Sequence, residues 1–550
     1  MTTPGTRQRP RQPTAGAGPG RRAGRRRLAT STAIFAFATA LSRIAGLGRE
    51  VVQANYFGTG IAGDAFTVAS QIPNVFSNLF SQAALSAAFV PVFTELLQQG
   101  RRREAFRLAS ELFWLIVLGL GALTLLYMGV AGLVMPAFAG KLNSVAGGTA
   151  LTIGLSRVLF PVVLLLSMTG LLVGILQSHD EFSLPAIAPA VWNVVIVVLM
   201  VILHSRFEGN DRIYSYAIAW LAATVVQLLM VAWGLRRVHF RLAFSLGLSD
   251  PRIRQVLILF LPVTVSIGII NLDVFLNAEL GTLVSPHASI AINDAFRIYM
   301  LPQGVFSVAV ATVLFPTLSR MANRRDPAGM RRTLGNGIRQ INLLLVPSAA
   351  LLAVLAVPIV RLVYQRGEFT AGSTHLVSIA LFWFAFSLPF AGVNLLLSRT
   401  FFAVKQPWIP TRLAAINMLV DIAVSVGLYR PLGIAGLVIG TVAANVVMTA
   451  LQLRRLRIGF NGRLEGAQTT MITARIAVAT AISTPIAYLI WKGLSSVLGL
   501  SLVAQLLSVG VALLAAAAVY ARLVLAMRVP EARQIQALVR RSLLGRTAQG

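Results

Sequence analysis

Long apolar stretches follow one another along the whole chain, among them Leu112–Met135, Val158–Leu176 and Leu343–Val363. Each is close to the roughly 20 residues that cross a bilayer core as helix. Fourteen such stretches can be marked out, near 30–54, 62–88, 109–135, 151–177, 185–204, 214–234, 256–280, 288–315, 338–364, 374–401, 409–429, 433–453, 472–494 and 500–526. They cannot all hide inside one soluble core. The pattern therefore predicts an all-α polytopic membrane protein. Gly and Pro interrupt several stretches, which a bundle tolerates because neighbouring helices satisfy the freed backbone groups.

The polar positions between the stretches carry a second pattern. Every other connection is rich in arginine: Arg101–Arg103 with Arg107, then Arg236 to Arg254, Arg320 to Arg332, Arg399 to Arg412, Arg454 to Arg463, and the tail from Arg528. The alternate connections, such as 55–61 and 281–287, are nearly uncharged. Lys and Arg collect on the cytoplasmic side of short loops, so both termini are expected in the cytoplasm. The connection 178–184 departs from the pattern with Asp180 and Glu181.

A weak internal repeat divides the chain. Asp64-Ala65-Phe66, Ile72-Pro73, Phe76 and Phe89-Val90-Pro91 return as Asp294-Ala295-Phe296, Leu301-Pro302, Phe306 and Leu314-Phe315-Pro316, about 225–230 residues later. A repeat spaced by six spans keeps its orientation, so the halves are parallel copies about an axis along the membrane normal. Two lobes around a central cavity follow. The expected organisation is a disordered basic cytoplasmic tail over 1–28, an N-lobe of six spans over 29–250, a C-lobe of six spans over 251–455, two further spans over 456–527, and a basic cytoplasmic tail over 528–550.

Composition agrees with this reading and narrows it. The 550 residues are 56% hydrophobic and 12% charged, against about 25% charged in a soluble domain, and the mean hydropathy is +0.76. The net charge of +30 reports loop topology, not affinity for nucleic acid. There is no cysteine, which excludes disulfides and thiolate chemistry. The five histidines are scattered, and no phosphate-binding G-x-x-x-x-G-K-[ST] loop occurs. The basic start followed by a long span with Arg43 and Arg49 reads as a retained first helix, not a cleaved signal.

Charged residues inside spans are the functional candidates. An Arg or Asp at a span centre costs about 2.5–3.5 kcal/mol on insertion scales, so such groups face a bundle interior or a wet cavity. Span one carries Ser42, Arg43, Arg49 and Glu50, with Arg43 and Glu50 on one face and Arg49 about 120° away. Asp64 opens span two, and Arg297 lies in span eight. One reading pairs Arg43 with Glu50 or Asp64 as structural glue. The other makes Arg43, Arg49 and Arg297 a site for an anionic lipid headgroup, since guanidinium forks match phosphate oxygens. Arg157, near the start of span four, reads more simply as snorkelling to the interface. In the second half, Asn417 and Asp421 share a helix face, with Asp273 and Thr441 as candidate neighbours; this is either a sodium or proton site or a satisfied polar cluster.

The run Ser42-Arg43-Ile44-Ala45-Gly46-Leu47-Gly48-Arg49-Glu50, followed by Phe57-Gly58 and Asp64-Ala65-Phe66, resembles the first two helices of the MurJ (MviN) family of peptidoglycan lipid II flippases, within the multidrug/oligosaccharidyl-lipid/polysaccharide exporter superfamily. Phe89-Val90-Pro91, Pro185-Ala186-Ile187-Ala188-Pro189 with Asn193, Leu314-Phe315-Pro316-Thr317-Leu318-Ser319-Arg320 and Arg361 to Thr370 extend the resemblance over about residues 30–530. It implies a fourteen-helix, two-lobe transporter in the bacterial cytoplasmic membrane, acting as a monomer without covalent chemistry or a resident cofactor. Its cargo would be lipid II, the undecaprenyl-pyrophosphate-linked disaccharide-pentapeptide, moved to the outer leaflet by alternating access. By position, Arg43, Arg49, Asp64 and Arg297 match the family's cavity residues, with Ser42 and Glu50 beside them. Asp273, Asn417, Asp421 and Thr441 match the ion ligands of sodium-binding members, making Na+ the candidate coupling ion, and spans thirteen and fourteen would form the groove for the lipid tail. Two motifs depart from the family. Ser77, Asn78 and Ser81-Gln82-Ala83 replace an arginine pair and an Ala-Glu-Gly, and Lys405-Gln406-Pro407-Trp408-Ile409-Pro410 replaces Asp-Thr-x-Thr-Pro. The alternatives are a flippase for another polyprenyl-linked glycan, a cation-coupled drug exporter, a membrane enzyme acting on polyprenyl-linked sugars, and a scaffold that transports nothing.

Overall fold

Long apolar helices make up most of the molecule, and several run on through an internal proline, as the 33-residue helix Ala371–Ala403 does at Pro389. The structure, a computed structural model, describes residues 41–42, 44–79, 82–179, 181, 183–240, 242–245, 250–258, 260, 276, 279–404, 406, 408–460, 464–534 and 536. Among these no strand occurs. The first half contains α1 (44–57), α2 (Ile61–Leu79), α3 (Gln82–Gln98), α4 (Arg102–Phe138), α5 (Gly148–Leu159), α6 (Pro161–Gln177), α7 (Ser183–His204) and α8 (Tyr214–Gly234). The second contains α9 (251–258), α10 (Ala288–Pro302), α11 (Val308–Asn323), α12 (Pro327–Val354), α13 (Ala356–Tyr364), α14 (Ala371–Ala403), α15 (Trp408–Leu432) and α16 (Ile434–Gly459), followed by α17 (Gly466–Leu498) and α18 (Leu502–Ala526).

Eleven spans among the described residues are long and apolar enough to cross a membrane. This is fewer than the fourteen read from the sequence, for two reasons. The expected spans 30–54 and 256–280 lie partly or largely outside the described residues, as do the tail 1–28 and most of 528–550. The expected span 62–88 is described as α2 and α3, with residues 80 and 81 between them outside the described residues, and neither segment is among the eleven. The polar residues Asp64, Gln71, Asn74, Ser77 and Asn78 explain why α2 lacks the hydropathy of a lipid-facing span. Proline sets other joints. Pro161 occupies the first position of α6, where its missing N–H costs nothing, and α10 ends at Pro302 in a single π-helical turn, Gln303–Ser307.

Helix starts have local causes. Asp326 caps α12 by accepting from Gly329 N at 2.8 Å, and Thr370 and Ser501 cap α14 and α18 through Ser373 N and Ala504 N, both at 3.3 Å, each satisfying a donor the helix leaves open. One residue, Gly433 with φ 57°, joins α15 to α16; that conformation suits glycine.

Hydrophobic packing separates by segment. Two clusters draw on residues 52–260, around Tyr216, Phe160 and Phe66, and around Phe89, Phe93 and Leu171. A third runs through α10 to α16 around Tyr299, Phe384 and Leu388, and it includes Ala54 of α1. The last two helices pack on each other and on α12 and α13. Exposed Leu125, Leu133, Leu489 and Leu514 present an apolar exterior, the reverse of a water-soluble protein. α2 and α10, the helices that carry the repeated motif, pack against each other where the halves meet.

A buried ion cluster fastens the final pair. Arg339 of α12 donates from Nη1 to Glu465 Oε2 at 3.0 Å and from Nε to Glu531; Arg339 is 6% and Glu531 1% exposed. Removing one partner of such a cluster leaves an uncompensated buried charge. Arg339→Met is therefore expected to destabilise the protein by about 3–5 kcal/mol, read as a lowered unfolding temperature in detergent. Arg339→Met combined with Glu531→Gln should recover part of that loss, and full additivity of the two losses would refute the pairing.

Candidate functional site: a central cavity between the halves

The polar faces of the central helices meet in a cavity of about 760 Å3. Its lining comes from α1 (Gly46, Arg49), α2 (Gln71, Asn74, Asn78), α7 and α8 (Trp192, Asn193, Trp220), α10 and the π turn (Asn293, Arg297, Gln303), and α14 to α16 (Phe384, Asn417, Thr441, Asn445), among others. Eight carboxamides and two arginines line it, and no carboxylate does among the described residues. Such a lining offers neutral donors and acceptors together with two cationic groups to a polar ligand that carries an anion.

Arg49 is 6% exposed. Its guanidinium carbon lies 5.1 Å from the ring centroids of both Trp192 and Trp220, which stand edge to face at 5.1 Å and 89°. The two indoles thus form a corner that holds the cation by its attraction to their π faces. Arg49 also donates to Glu50 through Nη2, while its Nε has no hydrogen-bond partner among the described residues. From the other half, Arg297 Nε lies 3.6 Å from the same Glu50 oxygen and donates to Asn293 Oδ1 at 3.2 Å. The Arg297 side chain is 44% exposed. One carboxylate therefore sits between two arginines from opposite halves, both of which retain donors for an incoming anion.

The other expected residues are placed as follows. Ser42 is half-buried, and Arg43 and Asp273 lie outside the described residues. Asp64 does not line the cavity. It is 0% exposed, and its Oδ1 accepts from Ile290 N at 3.0 Å, in the first turn of α10, whose own cap residue His287 offers no side-chain bond. Asp64 is thus a cap lent by one half to a helix of the other, where the sequence reading made it a cavity residue. Arg157 donates to Met128 O at 3.0 Å, away from the cavity. In the second half, Asp421 is 1% exposed and accepts from Thr441 Oγ1 at 3.2 Å and Ser425 Oγ at 3.1 Å. Asn417, one turn away, lines the cavity with its Oδ1 buried and unpartnered among the described residues. Gly440 packs so closely on Ser425 and Asp421 that a side chain there would collide with both. These oxygens suit a hard cation.

The sequence reading missed the carboxamide wall and the tryptophan corner. A signal for the wall was present: Gln71, Asn74 and Asn78 recur at helical spacing inside an apolar segment. The tryptophans carried none, because an indole in an apolar helix reads as core.

An all-helical, apolar shell enclosing a polar cavity lined from both halves of the chain is the architecture of a membrane transporter. Comparison with known proteins specifies the class. The family model described as Lipid II flippase MurJ matches residues 53–527, and the chain belongs to that family, whose members are transporters and not enzymes. It is 31% identical over 425 residues to the probable lipid II flippase MurJ of Rhizobium meliloti (strain 1021), covering 75% of this chain and 78% of the relative. Among solved structures it resembles "Lipid II flippase MurJ, inward closed conformation", with TM-score 0.73 at 23% identity over 88% of this chain and 97% of that one. It also resembles an inward-facing multidrug resistance MATE family transporter of the MOP superfamily, with TM-score 0.65 at 16% identity over 76% and 94%.

The Asp64 cap separates a structural role from a charge role. Asp64→Asn retains a capping oxygen and should leave stability within about 0.5 kcal/mol, whereas Asp64→Ala should cost about 1–2 kcal/mol; chemical unfolding of the purified variants reads both. Equal loss in the two variants would show that the charge, not the cap, matters.

Proposed function

We propose that this chain carries lipid II across the cytoplasmic membrane, from the inner to the outer leaflet, by rocking its two lobes around the central cavity. The observation that carries the reading is the convergence of Arg49 and Arg297, from opposite halves, on Glu50. A pyrophosphate competes with that carboxylate for both guanidinium forks, with more oxygens and more charge. Its arrival therefore weakens the tie that Glu50 makes between the halves, while the phosphates make a new one. The carboxamides fit the hydroxyl and amide groups of a glycopeptide headgroup, and the polyprenyl tail stays in lipid beside α17 and α18. The cargo is a lipid and not a nucleic acid, and the chain is taken to act as a monomer.

Both termini are assigned to the cytoplasm from the basic connections. Residues 55–64, 140–141, 282–290 and 365–373 then lie toward the outer leaflet, and polar contacts between the halves gather there. Glu368 N donates to Asn55 O at 2.9 Å, Thr59 Oγ1 to Ser373 Oγ at 2.7 Å, His287 Nδ1 to Thr59 O at 2.7 Å and Lys141 Nζ to Val284 O at 2.6 Å. With Gly58 and Gly367 at positive φ against the facing backbone, these contacts close the outer end. The oxygens of Asn417, Asp421 and Thr441 support a sodium ion as the coupling ion; Asp273, the fourth ligand expected from the sequence, lies outside the described residues. The membrane potential would add about 2.3 kcal/mol per charge per 100 mV.

In cells depleted of their own flippase, the wild-type chain should restore lipid II export. Arg49→Ala and Arg297→Ala should each lower it by about tenfold or more at equal membrane abundance, as expected for charge-assisted hydrogen bonds worth about 1.5–3 kcal/mol each. Export unrestored by abundant wild-type protein would refute the reading.

A further inference from the structure

The wall contributed by the first half holds polar groups that neither the arginines nor the helices use. Asn193 of α7 is 6% exposed. Its Nδ2 donates to Pro189 O at 2.9 Å, while its Oδ1 is buried without a hydrogen-bond partner among the described residues. A buried acceptor is expensive to leave unpaired. This one borders the cavity, beside Trp192 and Arg49. It also faces Gly46 of α1, where a Cβ would stand 3.8 Å from the amide atoms, so glycine leaves room beside it. Across the same cavity, α2 presents Gln71, 7% exposed, and Asn74.

We propose that Asn193, with Gln71 and Asn74, forms a subsite for the sugar bonded directly to the pyrophosphate, in which Asn193 Oδ1 accepts a hydrogen bond from a hydroxyl or acetamido N–H of that ring. The inference rests on the lipid II reading and deepens it. Proximity selects the sugar over the peptide. Arg49 lies over Trp192, the residue adjoining Asn193, so a phosphate held by Arg49 brings its own substituent to Asn193, and the peptide is attached farther from the phosphate. Donor and acceptor types agree as well. A phosphate or carboxylate offers no hydrogen to the unpaired Oδ1, whereas a sugar hydroxyl or amide does. The carboxamides of Gln71 and Asn74 both donate and accept, which suits hydroxyls that do the same.

Binding of two probes to the purified full-length protein tests this: bare undecaprenyl pyrophosphate, and the same carrier bearing the disaccharide. The wild type should favour the glycosylated probe. Asn193→Ala and, separately, Gln71→Leu should each reduce that preference by about fivefold, the loss of one neutral hydrogen bond, with affinity for the bare carrier unchanged. The unchanged bare-carrier affinity also reports that each variant is folded. An equal loss for both probes in both variants, or a preference that survives both substitutions, overturns the subsite. A wild type that binds both probes equally overturns it while leaving the pyrophosphate anchor intact, and a wild type that binds neither overturns the subsite and the lipid II reading together.

Discussion

Burying an arginine inside a membrane protein is tolerable only when a partner compensates the lost hydration, and the centre of this molecule is organised around that requirement. Glu50 compensates Arg49 directly and Arg297 at 3.6 Å from the opposite half. Trp192 and Trp220 complete the shell of Arg49 with π faces that attract the cation without neutralising it. α1 is the element that makes this possible: it supplies Arg49 and Glu50 to the cavity, while its Ala54 packs into the core of the second half. The charge cluster and the contact between lobes are therefore one structure, and a ligand that disturbs the first acts on the second.

The outer seal complements this arrangement. Asp64 caps α10 across the interface, Gly58 and Gly367 allow backbone to approach backbone, and Thr59 bonds both Ser373 and His287. Most of these bonds involve backbone groups or small hydroxyls, which water can satisfy if the halves part. Such an interface separates at lower cost than a packed apolar one, as a transporter that must open there requires.

Much of the architecture was legible in the sequence, because lipid permits few backbone solutions and each leaves a long apolar signature. The expected span 214–234 coincides with α8, 409–429 falls within α15, and 433–453 matches α16 but for its first residue, Gly433. The expected span 62–88 begins in α2, which trades hydropathy for Gln71, Asn74 and Asn78, residues that line the cavity. Arg49, Glu50 and Arg297 stood out because charge inside a span is costly, and the structure brings these three together. Asp64 stood out for the same reason but serves as a cap. The Arg339 cluster was invisible because its partners lie 126 and 192 residues away along the chain, among arginines that otherwise mark a loop.

The central claim is that Arg49 and Arg297 hold one anion jointly, and a double-mutant cycle on binding tests it most directly. Affinity for undecaprenyl pyrophosphate would be measured for the wild type, Arg49→Ala, Arg297→Ala and the double variant. Joint coordination predicts strong coupling, with the double variant losing less than the sum of the single losses by about 1 kcal/mol or more. Strictly additive losses, or affinity unchanged by either substitution, would contradict a shared site between the lobes.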